Sequence, residues 1–206
     1  MLAGAGPTDL AHGPCIVRPE ARAAWGHVLL ANLAERAPVR HRRVLERLHP
    51  KTHSAYEGLA AMRWVPMEAH MELSDEIRAE VGAGLRYSEF WRQAGLRLAN
   101  RPILSGFLQM VGRLSGSDPL RVANQFPRFF RHTFRHVVDA RVVREPGRTV
   151  LELFDFDGAA FNFECFVEGT VGVLMASGDV TNSRLRAEVT HFEAGGRASI
   201  VVRAIG

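Results

Sequence analysis

The chain has 206 residues, 47% of them hydrophobic and 23% charged. That is ordinary globular usage, which excludes a disordered body and allows a core that needs no metal or disulfide to fold. The formal charge is +4 and all but one (Lys51) of the 26 basic residues are arginine; the positive balance is modest and spread along the chain, so nucleic acid is not an expected partner.

Residues 1–18 carry glycines and prolines without apolar periodicity and are expected to form a flexible leader, with residues 19–206 as a single α+β domain. Met1 to Pro7 lack the positive charge and apolar run of a secretory signal, and no stretch approaches the ~20 apolar residues of a membrane span. From Pro19 a helix is expected, with Trp25, Val28, Leu29 and Leu33 on its apolar face. Val39 to Leu48 reads as a short basic amphipathic helix that Pro50 ends. Trp64-Val65-Pro66 opens a helix to about Val81, with Met67, His70, Met71, Leu73 and Ile77 inward and Gly82 and Gly84 as its stop. A helix from Tyr87 to Leu98, an apolar helix from Ile103 to Leu114 and a helix launched at Ser117-Asp118-Pro119 and running to Phe134 follow. The period then changes from 3.6 to 2. Val138–Arg144 and Thr149–Phe154 pair about the Pro146-Gly147 turn, Asn162–Met175 is helical, and Leu185–Phe192 pairs with Ala198–Ala204. The fold class expected is therefore α+β, an N-terminal helical bundle packed on a four-stranded antiparallel sheet with β-β-α-β-β order.

Three runs in this layout carry a resemblance: Gln125-Phe-Pro-Arg-Phe-Phe130, Phe163-Glu-Cys-Phe-Val-Glu-Gly169 and Glu188-Val-Thr-His-Phe-Glu-Ala-Gly195. In order and spacing, residues 60–205 resemble the vinyl-4-reductase-like domains and a paralogous family found in myxobacteria. Both resemble the superfamily of haem nitric-oxide sensors and Golgi-transport ligand-binding domains. The resemblance implies helices on a small sheet with an apolar ligand cavity between them, in sensor or adaptor domains. The haem sensors carry a Tyr-x-Ser-x-Arg signature that Tyr87-Ser88-Glu89-Phe90-Trp91-Arg92 does not fit, so haem does not carry over and no cofactor is expected.

The residues themselves offer no nucleophile–base pair, phosphate loop or dinucleotide fingerprint, and an enzyme is not expected. The two cysteines, Cys15 and Cys165, lack C-x-x-C spacing; they point to a reducing compartment, and the expected location is cytoplasmic. Glu164 and Glu168 beside Cys165 oppose a thiolate, which leaves it a packed hydrophobe. His132 and His136 are four apart, but Thr133 stands where H-E-x-x-H has its glutamate, so no metal is expected. His70 could serve as an axial ligand or as a hydrogen-bonded core histidine. Asp155 and Asp157 read as a solvated turn. Arg121, Arg128, Arg131 and Arg135 would form a cationic stripe on a continuous helix. Most of the 12 phenylalanines fall between Phe126 and Phe166, and a subset of them could wall a cavity. The candidate ligand-binding residues are Met67, Met71, Met110, Phe126, Phe130, Phe163 and Phe166, with Arg128 and Arg131 for an anionic headgroup. The function expected is a non-enzymatic sensor or adaptor that binds a small apolar ligand. The alternatives are an oligomeric protein-interaction scaffold with no ligand, such as a homodimer, and a haem or tetrapyrrole carrier.

Overall fold

The computed structural model describes residues 18–58, 60–99, 120–156 and 161–205. The leader before residue 18, the expected helix Ile103–Leu114 with Met110, the Ser117-Asp118-Pro119 cap and Asp157 lie outside the described residues.

The N-terminal half is helical. A strand β1 (Glu20–Arg22) leads into α1 (Ala23–Arg36), then α2 (Pro38–Arg47) and α3 (Pro50–Tyr56). Two expectations are corrected here. Pro19 does not start a helix, because Glu20–Arg22 is held extended between two other strands. Pro50 starts a helix instead of only ending one: it stands at the first helical position, where no N–H is needed, and His49 Nδ1 accepts the Lys51 N–H at 3.2 Å. After β2 (Trp64–Pro66) come α4 (Met67–Val81) and α5 (Leu85–Ala99). Gly82 at φ 96 ends α4, a left-handed position that a side chain would strain.

The helix expected to reach Phe134 is interrupted at Gln125. The described pieces are α6 (Arg121–Asn124) and α7 (Phe126–Thr133), followed by β3 (Phe134–Arg135). Pro127 has no N–H to donate to the preceding turn, so it suits a fresh helix start. With the break at Gln125 and the strand at Phe134, Arg121 and Arg135 do not share a helix with Arg128 and Arg131. His136 lies beyond the helix, at φ 53, so the helical spacing of His132 and His136 does not form.

The C-terminal order is as expected: β4 (Asp139–Glu145), β5 (Arg148–Phe154), α8 (Phe163–Val180), β6 (Leu185–Glu193) and β7 (Arg197–Ala204). The strands make one antiparallel sheet in the order β4-β5-β7-β6. Leu151, Leu153, Ile200 and Val202 face the core, while Arg141–Glu152 and Arg203–Glu188 pair on the other face. A second sheet, β2-β1-β3, ties the chain start to the segment after α7. Its strands are too short to show a period. The guanidiniums of Arg22 and Arg135 both stack on the Trp64 ring, at 3.6 and 4.0 Å from its centroid.

α8 packs closely against α5 through two glycines. A Cβ on Gly172 would lie 2.3 Å from the Ser88 carbonyl oxygen and 2.6 Å from Trp91 Cβ; one on Gly169 would touch the Trp91 indole at 3.0 Å. Around this contact Arg78 grips Glu168 with two bonds of 2.6 and 3.0 Å, the Gly84 N–H donates to the same carboxylate at 2.7 Å, and the Ser88 hydroxyl donates to the Glu168 carbonyl at 3.0 Å. At the other end Arg92 holds Asp179 through bonds of 2.6 and 3.0 Å. An alanine in an open helix gains about 1 kcal/mol over glycine, so the Gly172→Ala variant tests which effect wins. Urea unfolding should show a net loss of about 1–3 kcal/mol, as overpacking demands.

Candidate ligand site

Five helices and β3 converge on an aromatic interior. Trp25 of α1 and Trp91 of α5 lie 5.2 Å apart between ring centroids, and Phe129 of α7 meets Trp25 edge-on at 6.0 Å. Phe166 of α8 closes the other side, 5.9 Å from Phe130 and 5.2 Å from Phe134. His70 of α4 sits between Phe134 at 5.9 Å and Trp91 at 6.1 Å. Such offset and edge-on pairs are the arrangements the ring quadrupoles favour.

The rings leave a cavity of about 20 Å³, bordered also by Met71, Ser74, Phe126, Cys165, Thr170 and Val173. That volume holds one water. No strand of the four-stranded sheet borders it, so the cavity lies among the helices and not between helices and sheet.

Its polar groups are few. The Tyr56 hydroxyl bonds His70 Nδ1 at 3.2 Å, and burial pushes the His70 pKa down to about 4, which keeps the ring neutral. The Cys165 thiol donates to the Tyr87 hydroxyl at 3.3 Å, and that hydroxyl donates to the Ser74 carbonyl at 3.1 Å. Burial pushes the Cys165 pKa up, so the group stays a thiol and is a poor nucleophile. Ser74 Oγ and Trp91 Nε1 are buried and make no well-formed hydrogen bond among the described residues.

Of the residues singled out from sequence, Met71, Phe126, Phe130 and Phe166 come together on this wall. Met67 is fully buried and Phe163 packs on Phe156 at 4.7 Å, but neither borders the cavity. Arg128 and Arg131 are exposed and away from it; Arg131 borders a separate open groove of about 460 Å³ with Arg135, His136 and Asp155. Sequence reasoning missed Trp25, Ser74, Trp91, Phe129 and Phe134 as wall residues. The four-residue step from His70 to Ser74, both on the buried side of α4, was the signal available for the polar part.

No protein-family model and no curated protein matches the chain. Solved structures do. An H-NOX protein from S. oneidensis in the Fe(II)NO state superposes with a TM-score of 0.62 at 9% identity, over 90% of this chain and 99% of that one. The Fe(II) unliganded H-NOX protein from K. algicida gives 0.60 at 7%, over 90% and 97%. An oxygen-binding H-NOX domain related to soluble guanylate cyclases gives 0.56 at 9%, over 90% and 95%. At these identities the likeness establishes the fold, the mixed helix-and-sheet architecture of H-NOX domains, and the chain is similar to them in that respect.

Haem, the group this fold implies, does not fit the interior formed by the described residues. A drug-sized or larger group takes a pocket of roughly 300 Å³ or more, and the described interior offers about 20 Å³, so only a ligand much smaller than haem suits it. The faces of His70 are shared with Trp91 and Phe134, and its Nδ1 with Tyr56.

The neutral His70 has a signed consequence. Its folded pKa lies below the unfolded value, so the unfolded chain binds the extra proton between pH 6.5 and about 4. Stability attributable to His70 is full above pH 6.5 and falls by about 3 kcal/mol as pH drops towards 4. Urea midpoints of the wild type and His70→Gln, compared from pH 8 to 4, should differ in slope over that window.

Proposed function

We propose that the domain is a non-enzymatic sensor or adaptor module that binds one small apolar ligand within the aromatic interior around His70. The observation that carries this reading is a void whose walls are nearly all rings, bordered by Ser74 and Trp91, whose side-chain polar atoms are buried without a well-formed hydrogen bond among the described residues. A void of this kind costs packing contacts and an unmet polar group costs about 1–3 kcal/mol, which is the pattern of a binding site and not of an optimised core. The fold shared with H-NOX domains supports the sensor part of the reading. The kinship with vinyl-4-reductase-like domains is the finer part of the same proposal.

A ligand larger than a water enters by displacing the α7 phenylalanines, since Phe126, Phe129 and Phe130 come from one eight-residue helix. Native mass spectrometry of gently purified protein and a thermal-shift panel of small aromatics and lipids test the reading. A true ligand at a hundredfold excess over its Kd contributes about 2.7 kcal/mol, or roughly 5–10 °C for a chain of this size. Phe130→Ala should lose about 3–5 kcal/mol of stability and regain part of it with benzene or indole. A uniformly ligand-free mass together with no shift in either protein contradicts the proposal. A stable dimer on sedimentation in that case would favour the oligomeric scaffold.

A further inference from the structure

The sheet β4-β5-β7-β6 has two edges, and they are not alike. β6 carries a register shift between Val189 and His191, a bulge of the kind that blocks further pairing. β4 runs seven residues in unbroken register with β5. Alternate residues of an edge strand turn their N–H and C=O away from the sheet, and among the described residues no backbone bond takes those of β4. The register also fixes the outer face of this edge. Asp139, Arg141, Val143 and Glu145 alternate with Ala140 and Val142, which pack on the core, and Val143 is 38% exposed. Behind Val143 the row continues through Val150 to Val201. Arg141 pairs with Glu152 on the next strand, and Glu145 with Arg148.

We propose that the β4 edge is a homodimer contact, in which two copies pair antiparallel about Val143 and join their four-stranded sheets into one. Charge selects both the occupant and the register. Two identical strands paired about a two-fold axis set each residue opposite one that points to the same face, so only three registers overlap by five residues or more. With Val142 on the axis, Asp139 would meet Glu145; with Arg141 there, it would meet itself. With Val143 on the axis, Arg141 of each copy faces Glu145 of the other and valine faces valine. The valine row then runs across both sheets, flanked on either side by the alternating charges Arg148, Glu145, Arg141 and Glu152. So short an overlap buries less than a standard interface, which makes the dimer reversible, with a Kd of roughly 10 μM to 1 mM. The contact does not rest on the ligand proposed above.

Sedimentation of the full chain across that concentration range should show a monomer–dimer equilibrium. Arg141→Glu and Glu145→Arg should each weaken it roughly tenfold or more, because each sets like charges opposite one another at both symmetric pairs. An equimolar mixture of the two variants should dimerise again, since every such pair then unites opposite charges; recovery also shows that both variants are folded. Oxidised Val143→Cys in a Cys15→Ala background should form a disulfide dimer, as facing Cα atoms of paired strands lie within bridging distance, whereas Arg141→Cys in the same background should not. A protein that is monomeric throughout the range overturns the proposal. So does a dimer that neither charge variant weakens, which would be using another surface.

Discussion

The close approach of α8 to α5 fixes most of what matters in this molecule. Without side chains at Gly169 and Gly172, the α8 backbone comes into contact with the Ser88 carbonyl and the Trp91 ring. The Arg92–Asp179 pair ties α5 to α8 at one end, and at the other the Arg78–Glu168 pair ties α4 to α8. Trp91 is thereby pinned between α8 and Trp25, on the wall of the cavity. Glycine in a helix costs propensity, so two of them on one buried face mark a position where proximity outweighs helix stability.

A fold does not dictate what fills it. The chain follows the H-NOX architecture over most of its length, yet the space among its described helices is occupied by phenylalanine and tryptophan rings. The sequence contains the material for this in Phe126, Phe129, Phe130 and Phe134, spaced three, one and four apart. In α7 and the strand after it, these rings stack against Phe166 and Trp25. The arginines interleaved with them, Arg128 and Arg131, are carried outward by the same helical period. A hydrophobic inner face and a cationic outer face therefore come from one amphipathic segment.

The C-terminal architecture was legible because each strand has seven to nine residues, long enough for the period of two to register against the helical pattern of α8. The sheet β2-β1-β3 was not, because strands of two or three residues carry no period, and β1 pairs with β3 across more than a hundred positions of sequence. Pro50 misled: it reads as the end of the preceding helix, and it stands in the first turn of α3, where a missing N–H costs nothing; the break at Gln125 beside Pro127 fell inside a segment read as one helix to Phe134. For the site, the aromatic wall was legible in composition. The place of Trp91 in it was not, since that is set by the glycines of α8 it packs against.

The interior formed by the described residues is closed by side chains and not shaped for a macrocycle. Titration of the purified protein with haemin, followed at the Soret band, addresses that directly. The account predicts only weak, non-saturating absorbance changes that His70→Gln does not alter. A stoichiometric complex with a sharp, shifted Soret band, lost in His70→Gln, would contradict it.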